Sequence, residues 1–497
     1  MRRGFTDLKI RFYCPETQLP VFYFEAMQIF SHIFGMPEVI PGAESAVLET
    51  VDETTVRYPL TADLARQDAL LADKTMRDGL ICPSDENLLK RYLYVLLRDI
   101  YGYASPWGCM TGVRPAKIVN ALFEKGFSEA QVLAHFEGFY LTSREKALLT
   151  LETARTQKPF LEEQKRSPET AGFYIGIPFC PTRCTYCSFA ASPIGRYKKS
   201  VDAYLDTLET EIGGTVKLAD GIFRFESLYI GGGTPTSLDE KQLGRLLRMT
   251  ERITRKYDIK EFALEAGRPD SITEEKLLLA RNAGVNRISV NPQTMNAKTL
   301  ARIGRMHSPE DTLRAFALAR ESGFENINMD IIAGLPGETI EDFLYTLSVI
   351  EGLRPDSLTV HQLSIKRASE LRYDEEEKTS LRADVTGAMT EAARKSAAGM
   401  GLRPFYMYRQ KNMLGNHENV CYCRAGCESP YNIHIMEEDQ SIIACGCGAV
   451  TKFVYDRVPE GRVIDRCFNM KSIETYMSRT EIMAQRKRDA ILRMYGN

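Results

Sequence analysis

Between residues 170 and 370 this chain predicts an α/β fold built on a parallel sheet. Six short apolar runs recur there, and helical patterns separate most of them. Strands that alternate with helices pair in parallel through crossover units. At 497 residues the chain exceeds what one ordinary core organises, so two or three domains are expected.

The chain reads as three blocks without an internal repeat. The first, residues 1–165, reads as an N-terminal α+β accessory domain. It opens with strand-like Leu8–Tyr13, followed by an aromatic-rich segment around Phe22–Phe34 and another strand candidate at Ala46–Val51. Apolar residues recur at helical spacing in Asn87–Leu97. A turn-like Ala104-Ser-Pro-Trp-Gly108 leads into Thr111-Gly-Val-Arg-Pro-Ala-Lys117, and the polar run Gln164–Thr170 reads as a linker.

The second block spans residues 166–372. Strands are expected at Phe173–Ile177, Ser227–Ile230, Phe262–Glu265, Arg287–Asn291, Ile327–Ile332 and Ser357–Leu363. Helices are expected at Val201–Leu218, Glu240–Lys256, Glu274–Ala283, Pro309–Ser322 and Ile340–Gly352. Six strands are too few to close an eight-stranded barrel, but the βα architecture still puts chemistry at the C-terminal strand ends. The third block, residues 373–497, begins with a helix at Ala383–Met400 and turns glycine- and cysteine-rich. It ends in a charged helix, Ile473–Met494, and reads as a cap or accessory domain.

The composition, 44% apolar and 26% charged, is that of a soluble globular protein. A formal net charge of −2 does not suggest a polyanion-binding surface and counts against a nucleic-acid enzyme. The start, Met1-Arg-Arg-Gly-Phe, lacks the apolar stretch of a secretory signal, and no run is long and apolar enough to span a bilayer. A cytoplasmic location follows as an expectation. There, twelve cysteines read as metal ligands or buried thiols rather than disulfides.

Three of those cysteines carry the strongest signal. Cys180, Cys184 and Cys187 form CxxxCxxC directly after an expected strand. A zinc site usually takes four ligands from paired units, and no fourth Cys or His follows promptly. Thiolates are the usual ligands of iron–sulfur clusters. Three close cysteines can hold three irons of a four-iron cluster and leave the fourth iron for a substrate or cofactor.

Other polar groups gather at strand ends. Tyr229-Ile-Gly-Gly-Gly-Thr-Pro-Thr236 closes a strand with three glycines, whose backbone can approach a ligand closely. Glu265 ends the next strand and can accept bonds from ribose hydroxyls, or can pair with a neighbour such as Arg268. Gln293, Arg305 and Asp330 lie near further strand ends; Arg305 could grip a carboxylate with a bidentate fork, and Asp330 sits in apolar text that demands partners.

This combination resembles the radical S-adenosylmethionine (SAM) superfamily. The resemblance implies a partial (β/α)6 barrel, a 4Fe-4S cluster on Cys180, Cys184 and Cys187, and SAM chelated to the open iron. A narrower resemblance rests on Tyr174-x-x-Ile-Pro-Phe-Cys, Gly231-Gly-Gly-Thr-Pro-Thr, Glu265, Gln293, Ile303-Gly-Arg and Asp330-x-x-x-Gly-Leu-Pro. These runs look like the oxygen-independent coproporphyrinogen III oxidase (dehydrogenase) family. Pro106-Trp-Gly-x-x-Thr-Gly-Val-Arg-Pro, Glu265-Ala-Gly-Arg-Pro-Asp and Arg409-Gln-Lys-Asn-Met-Leu-Gly-Asn suggest its longer branch with an extra N-terminal domain. Carried across, Tyr174, Gly232 and Glu265 bind the cluster-bound SAM. Tyr186, Gly233, Thr234, Gln293, Arg305, Asp330 and Ser364 line the same cavity, some of them around a second SAM.

The implied activity is oxidative decarboxylation of coproporphyrinogen III to protoporphyrinogen IX in porphyrin and haem biosynthesis, suited to an oxygen-poor cell. The implied partners are the tetrapyrrole and a reductant such as ferredoxin or flavodoxin. Lys366 and Arg367 are candidates for binding propionates. Two departures keep haem delivery, or another radical SAM substrate, open. Phe189 stands where the decarboxylases carry a further cysteine, and Gly176 replaces a histidine of the Tyr-Val-His-Ile-Pro-Phe strand. Cys421, Cys423, Cys427, Cys445 and Cys447 could hold a second metal group, but match no common ligand template and read better as small buried residues. His417 and His434 read as packed or surface histidines.

Overall fold

An open parallel sheet of six strands leaves two unpaired edges, and the way this chain covers them organises its larger half. The computed structural model describes residues 9–51, 56–189, 191–364, 369, 383–410, 417–457 and 461–495. By its internal contacts the chain divides into two units, Met1–Arg155 with Tyr408–Glu418, and Thr156–Met407 with Asn419–Asn497.

The first unit holds strands β1 (Lys9–Cys14), β2 (Glu38–Pro41), β3 (Val47–Val51) and β4 (Val56–Pro59) in the order β2-β1-β3-β4. Ile10, Phe12 and Cys14 alternate along β1 and are buried, as a half-buried strand requires. They pack in one core with Met27 and Phe30 of the helix Val21–Phe34 and with Leu93 and Leu97 of the helix Asp85–Tyr101. The aromatic-rich segment of the sequence is therefore this first helix. Two runs far apart in sequence meet in the same unit. The Arg409 guanidinium lies 4.9 Å from the Trp107 ring centroid and donates to the Met110 carbonyl at 2.5 Å. Trp107 Nε1 donates to Glu418 at 2.8 Å, and Lys146 pairs with the other carboxylate oxygen at 2.5 Å.

The second unit carries β5 (Thr170–Ile177), the short pair β6 (Phe179–Cys180) and β7 (Ser192–Pro193), then β8 (Arg224–Gly232), β9 (Glu261–Glu265), β10 (Arg287–Ser289), β11 (Ile327–Ala333) and β12 (Ser357–Gln362). It continues with β13 (Arg403–Tyr408), β14 (Asn419–Cys423), β15 (Ser441–Gly446), β16 (Val450–Arg457) and β17 (Gly461–Phe468). Strands β5, β8, β9, β10, β11 and β12 are neighbours in that order and parallel throughout. This is the six-stranded βα core that the alternating pattern predicts, and the five expected crossover helices all form within two residues of their expected ends.

Strands β13–β17, from the segment expected as a cap, instead extend this sheet at both edges. On one side β14 pairs antiparallel with β12, and β13 lies beyond it. On the other, β15 pairs parallel with β5, and β16 and β17 follow antiparallel. The reason is the open barrel itself, whose edge strands would otherwise expose unpaired backbone groups. The charged C-terminal segment is two helices, Ile473–Ser478 and Thr480–Tyr495, because Arg479 leaves helical backbone at φ −131°. No helix among the described residues is long and apolar enough to cross a membrane.

One buried carboxylate ties the β15 edge to the barrel. Glu211, on the helix Val201–Ala219, accepts bonds from Gly446 N–H at 2.8 Å, Tyr476 OH at 2.6 Å, Asn469 Nδ2 at 2.7 Å and Lys487 Nζ at 2.8 Å. Four donors from four C-terminal segments satisfy the carboxylate, and Lys487 also donates to Thr215 Oγ1 at 3.2 Å and to Cys445 Sγ at 3.6 Å. Removing one member of a buried pair strands the other charge. Glu211→Ala is therefore expected to lower unfolding free energy by about 3–5 kcal/mol, read by urea denaturation.

Candidate functional site

The cysteine loop leaves the barrel at the C-terminal end of β5 and is gripped on one side by the end of β8. Gly233 N–H donates to the Ile177 carbonyl at 2.8 Å, and Thr234 N–H donates to the Phe179 carbonyl at 2.6 Å. A Cβ on Gly233 would lie 2.4 Å from that Phe179 oxygen, and one on Gly231 would lie 2.7 Å from the Glu265 carboxylate. The triple glycine is thus forced by close approach. Thr234 Oγ1 reaches Cys180 Sγ at 3.6 Å.

The opposite side is gripped by the segment after the helix Ala297–Arg302. Thr185 N–H donates to the Ile303 carbonyl at 3.1 Å, and Thr182 Oγ1 donates to the Gly304 carbonyl at 2.9 Å. Tyr186, between Cys184 and Cys187, packs on Leu300, Ile303, Ile332, Leu335 and Leu363. The three cysteines therefore sit on a loop fixed from two directions.

The electrostatics of this loop suit anionic ligands. Burial pushes the Cys180 thiol up to about 11 and raises that of Cys187. Both are protonated as free thiols near neutrality, and metal ligation must release those protons. Two buried guanidiniums adjoin the thiols. Arg268 Nη1 lies 3.9 Å from Cys184 Sγ. Arg305 bonds Tyr186 OH at 3.2 Å and the Asn291 carbonyl at 2.5 Å, while its buried Nε has no partner. Arg305 forms no ion pair with a carboxylate among the described residues, so it keeps a net positive charge beside the thiols. No group of His, Cys, Asp or Glu among the described residues is placed to hold a single metal ion. Cluster thiolates each take a different iron and need not converge on one point. The donor set and the uncompensated charge of Arg305 fit a 4Fe-4S cluster.

Inside the barrel, Glu265 accepts from Tyr229 OH at 2.6 Å and from Gly232 N–H at 3.2 Å. Arg268 takes Asp270 as its carboxylate partner instead, at 2.8 Å, which removes the ion-pair alternative for Glu265. Burial raises Glu265 to about 7, against the opposing effect of these two hydrogen bonds. Tyr174, Tyr229 and Tyr431 form a near-parallel stack beside it, with Tyr229 and Tyr431 centroids 4.5 Å apart. Gly232 adopts φ +106°, and a Cβ there would come within 3.2 Å of Tyr174 OH.

Gln293 holds a left-handed backbone at φ +67°, fixed by its N–H to the Asp330 carbonyl at 2.9 Å and by Ile332 N–H to its own carbonyl at 3.0 Å. Its buried side-chain oxygen has no partner. A positive φ at a non-glycine residue costs energy, and a buried acceptor without a partner is uncommon. Burial alone would raise Asp330, but His361, Asn328 and Thr359 outweigh it and keep the carboxyl below its usual range. Asn328 Nδ2 donates to Asp330 at 2.7 Å, and His361 Nε2 lies 3.7 Å from it. The Ser364 hydroxyl is buried without a partner.

Phe189 is 70% exposed, so its ring does not pack into the protein. Lys366 and Arg367 lie outside the described residues. Cys421 and Cys423 on β14 are separated from Cys445 on β15 by six strands in the sheet order. Their surroundings also differ, since Cys421 meets Thr359 at 3.1 Å and Cys445 meets Lys487 at 3.6 Å. His434 pairs with Asp439 at 3.0 Å. Burial lowers His417 to about 4. Sequence reasoning missed Tyr229, Tyr431 and His361. The strand register places Tyr229 beside Glu265, and the anchoring of the helix Pro430–Glu437 on Glu261 brings Tyr431 onto it.

The radical SAM superfamily model matches residues 174–350. HemZ of Bacillus subtilis, an oxygen-independent coproporphyrinogen-III oxidase-like protein, is 42% identical over 399 residues, covering 78% of each chain. The haem chaperone HemW of the same organism is 34% identical over 277 residues, covering 56% of this chain and 69% of its own. The solved structure of HemN, the coproporphyrinogen III oxidase of Escherichia coli, shares the fold at a TM-score of 0.51 and 23% identity, covering 66% of this chain and 73% of that one.

The raised Glu265 carboxyl makes a signed prediction for the metal-free protein. The folded state holds this proton up to about pH 7, whereas the ordinary carboxyl of the unfolded chain releases it near 4.5. The stabilisation is full below 4.5 and is lost as pH rises through 7. Wild type is expected to lose stability relative to Glu265→Gln between pH 5 and 7.5, measured by urea unfolding at each pH. A constant difference across that range contradicts the assignment.

Proposed function

Because the chain belongs to the oxygen-independent coproporphyrinogen III oxidase-like family of the radical SAM superfamily, we propose that it oxidatively decarboxylates coproporphyrinogen III to protoporphyrinogen IX in the cytoplasm. Cys180, Cys184 and Cys187 hold the 4Fe-4S cluster in this reading. The observation that carries it is the loop bearing these thiols, clamped between Gly233–Thr234 and Ile303–Gly304 beside a guanidinium with no carboxylate partner.

When bound, the cluster and SAM supply reductive cleavage of a carbon–sulfur bond and abstraction of a hydrogen atom from the propionate. The residues of the chain orient that chemistry and exclude water. The backbone of Gly231–Gly233 would receive the methionine end of SAM, and the glycines let that backbone sit close to Glu265, Tyr174 and Phe179. Tyr174 and Glu265 take the nucleoside, with Glu265 accepting ribose hydroxyls in its ionised form. Tyr186 and Thr234 fix the loop. Gln293, Arg305, Asp330 and Ser364 face the same cavity, where an unsatisfied amide oxygen, a guanidinium and an ionised carboxylate can receive SAM, including a second molecule. The electrons come from a small redox protein of the ferredoxin or flavodoxin class.

A second reading, haem delivery, is favoured by Phe189, which puts an exposed ring where the decarboxylases have a thiol. One experiment separates the two. Reconstituted protein is incubated anaerobically with SAM, reductant and coproporphyrinogen III, and the product mass is read. Vinyl product from wild type supports the enzyme, with Phe189→Cys changing its rate. Tight haem binding with no vinyl product, and turnover gained only in Phe189→Cys, supports delivery.

The cofactor sites are tested separately. Wild type is expected to bind about four irons after reconstitution, and Cys184→Ala to lose them. Glu265→Ala should keep its iron and lose about 1.5–3 kcal/mol of SAM affinity, measured by calorimetry, for one hydrogen bond to a charged acceptor.

A further inference from the structure

Arg268 stands in the run Glu265-Ala-Gly-Arg-Pro-Asp270 just past the end of β9, and no role follows for it from the assignments above. Its side chain is 3% exposed and held at both ends. Nε and Nη2 donate to the two carboxylate oxygens of Asp270 at 3.0 and 2.8 Å. The remaining terminal nitrogen, Nη1, points to the cysteine loop. It donates to Thr182 Oγ1 at 2.9 Å and to the Thr182 carbonyl at 3.4 Å, and lies 3.9 Å from Cys184 Sγ. The backbone below it is fixed as well. Pro269 follows it, and Ser271 donates to the Arg268 carbonyl through N–H at 2.9 Å and Oγ at 2.7 Å. His307 Nδ1 is 3.9 Å from the Asp270 carboxylate, and its buried ring nitrogens have no hydrogen-bond partners.

We propose that Arg268 is a positioning residue for the iron–sulfur cluster: its guanidinium donates to the Cys184 sulfur and raises the cluster's reduction potential, and Asp270 sets how much of that charge the cluster feels. The inference rests on the cluster reading above. A cluster on three thiolates gains negative charge on reduction, so a nearby buried cation stabilises the reduced form and a nearby carboxylate opposes it. Hydrogen bonds to cluster sulfurs act in the same sense. Arg305 lies on the Tyr186 side of the loop and Arg268 on the Thr182 side, so the two act on the cluster from different directions.

The two partners make opposite predictions, which a merely structural role does not. The midpoint potential of the reconstituted cluster is measured by redox titration followed by electron paramagnetic resonance, with iron content determined on the same samples. Arg268→Gln is expected to keep its iron and shift the potential to more negative values. Arg268→Lys should recover part of that shift, because it restores the charge without the fork. Asp270→Asn, which leaves the guanidinium in place and removes the opposing carboxylate, is expected to shift the potential to more positive values. If Arg268→Gln fails to hold iron, the positive shift of Asp270→Asn alone supports the proposal. Unchanged potentials, or shifts of the same sign in Arg268→Gln and Asp270→Asn, overturn it while leaving the cluster assignment standing. Wild type that binds no iron overturns the cluster reading and this inference together.

Discussion

The site depends on how closely the ends of two strands approach. Gly233 and Thr234 donate from the end of β8 to the carbonyls of Ile177 and Phe179, and the Gly233 Cα lies where a Cβ would stand 2.4 Å from a carbonyl oxygen. No other residue fits there without moving backbone. That contact fixes where the cysteine loop leaves β5. It also brings Gly232 N–H to the Glu265 carboxylate at 3.2 Å, so the cysteine loop, the glycine turn and the acidic strand end share one frame. Substituting a larger residue at Gly233 therefore disturbs three adjacent strands, not one turn.

Within this frame the charges are arranged unevenly. Glu265 is surrounded by neutral donors and is raised towards neutrality, whereas Asp330 has His361 and Asn328 and stays low. Two carboxylates on strands of one barrel thus differ in protonation because their neighbours differ. The cysteine loop has the opposite character, with Arg268 and Arg305 beside thiols that burial keeps protonated. A ligand that brings negative charge to the loop and hydroxyl donors to Glu265 relieves both imbalances. A zwitterionic nucleoside on an anionic cluster has that distribution of groups.

The core of the fold was legible because its periodicities are local. Six strands and five crossover helices appear where the apolar runs and helical patterns put them, and Cys180, Cys184 and Cys187 lie just past a strand end, as the sequence places them. What could not be read is what depends on partners distant in sequence. The segment after residue 400 looked like a separate cap, since nothing in its text says that β15 pairs with β5 or that β14 pairs with β12. From the sequence, Arg268 reads as a possible partner for Glu265 three residues before it; in the structure it pairs instead with Asp270, across the turn closed by Pro269 and Ser271. Tyr431 joins the stack only because the helix Pro430–Glu437 is anchored by Glu261, which accepts from Ser429 Oγ at 2.5 Å and Tyr431 N–H at 2.9 Å.

The central claim is that the clamped loop holds a cluster with one iron left open to SAM. The direct measurement is the electron paramagnetic resonance spectrum of the reduced, reconstituted protein before and after SAM is added. A cluster with an open iron should change its spectrum when the amino and carboxylate groups of SAM bind, and Glu265→Ala should need more SAM to produce the same change. An iron-replete protein whose spectrum is identical with and without saturating SAM contradicts the account.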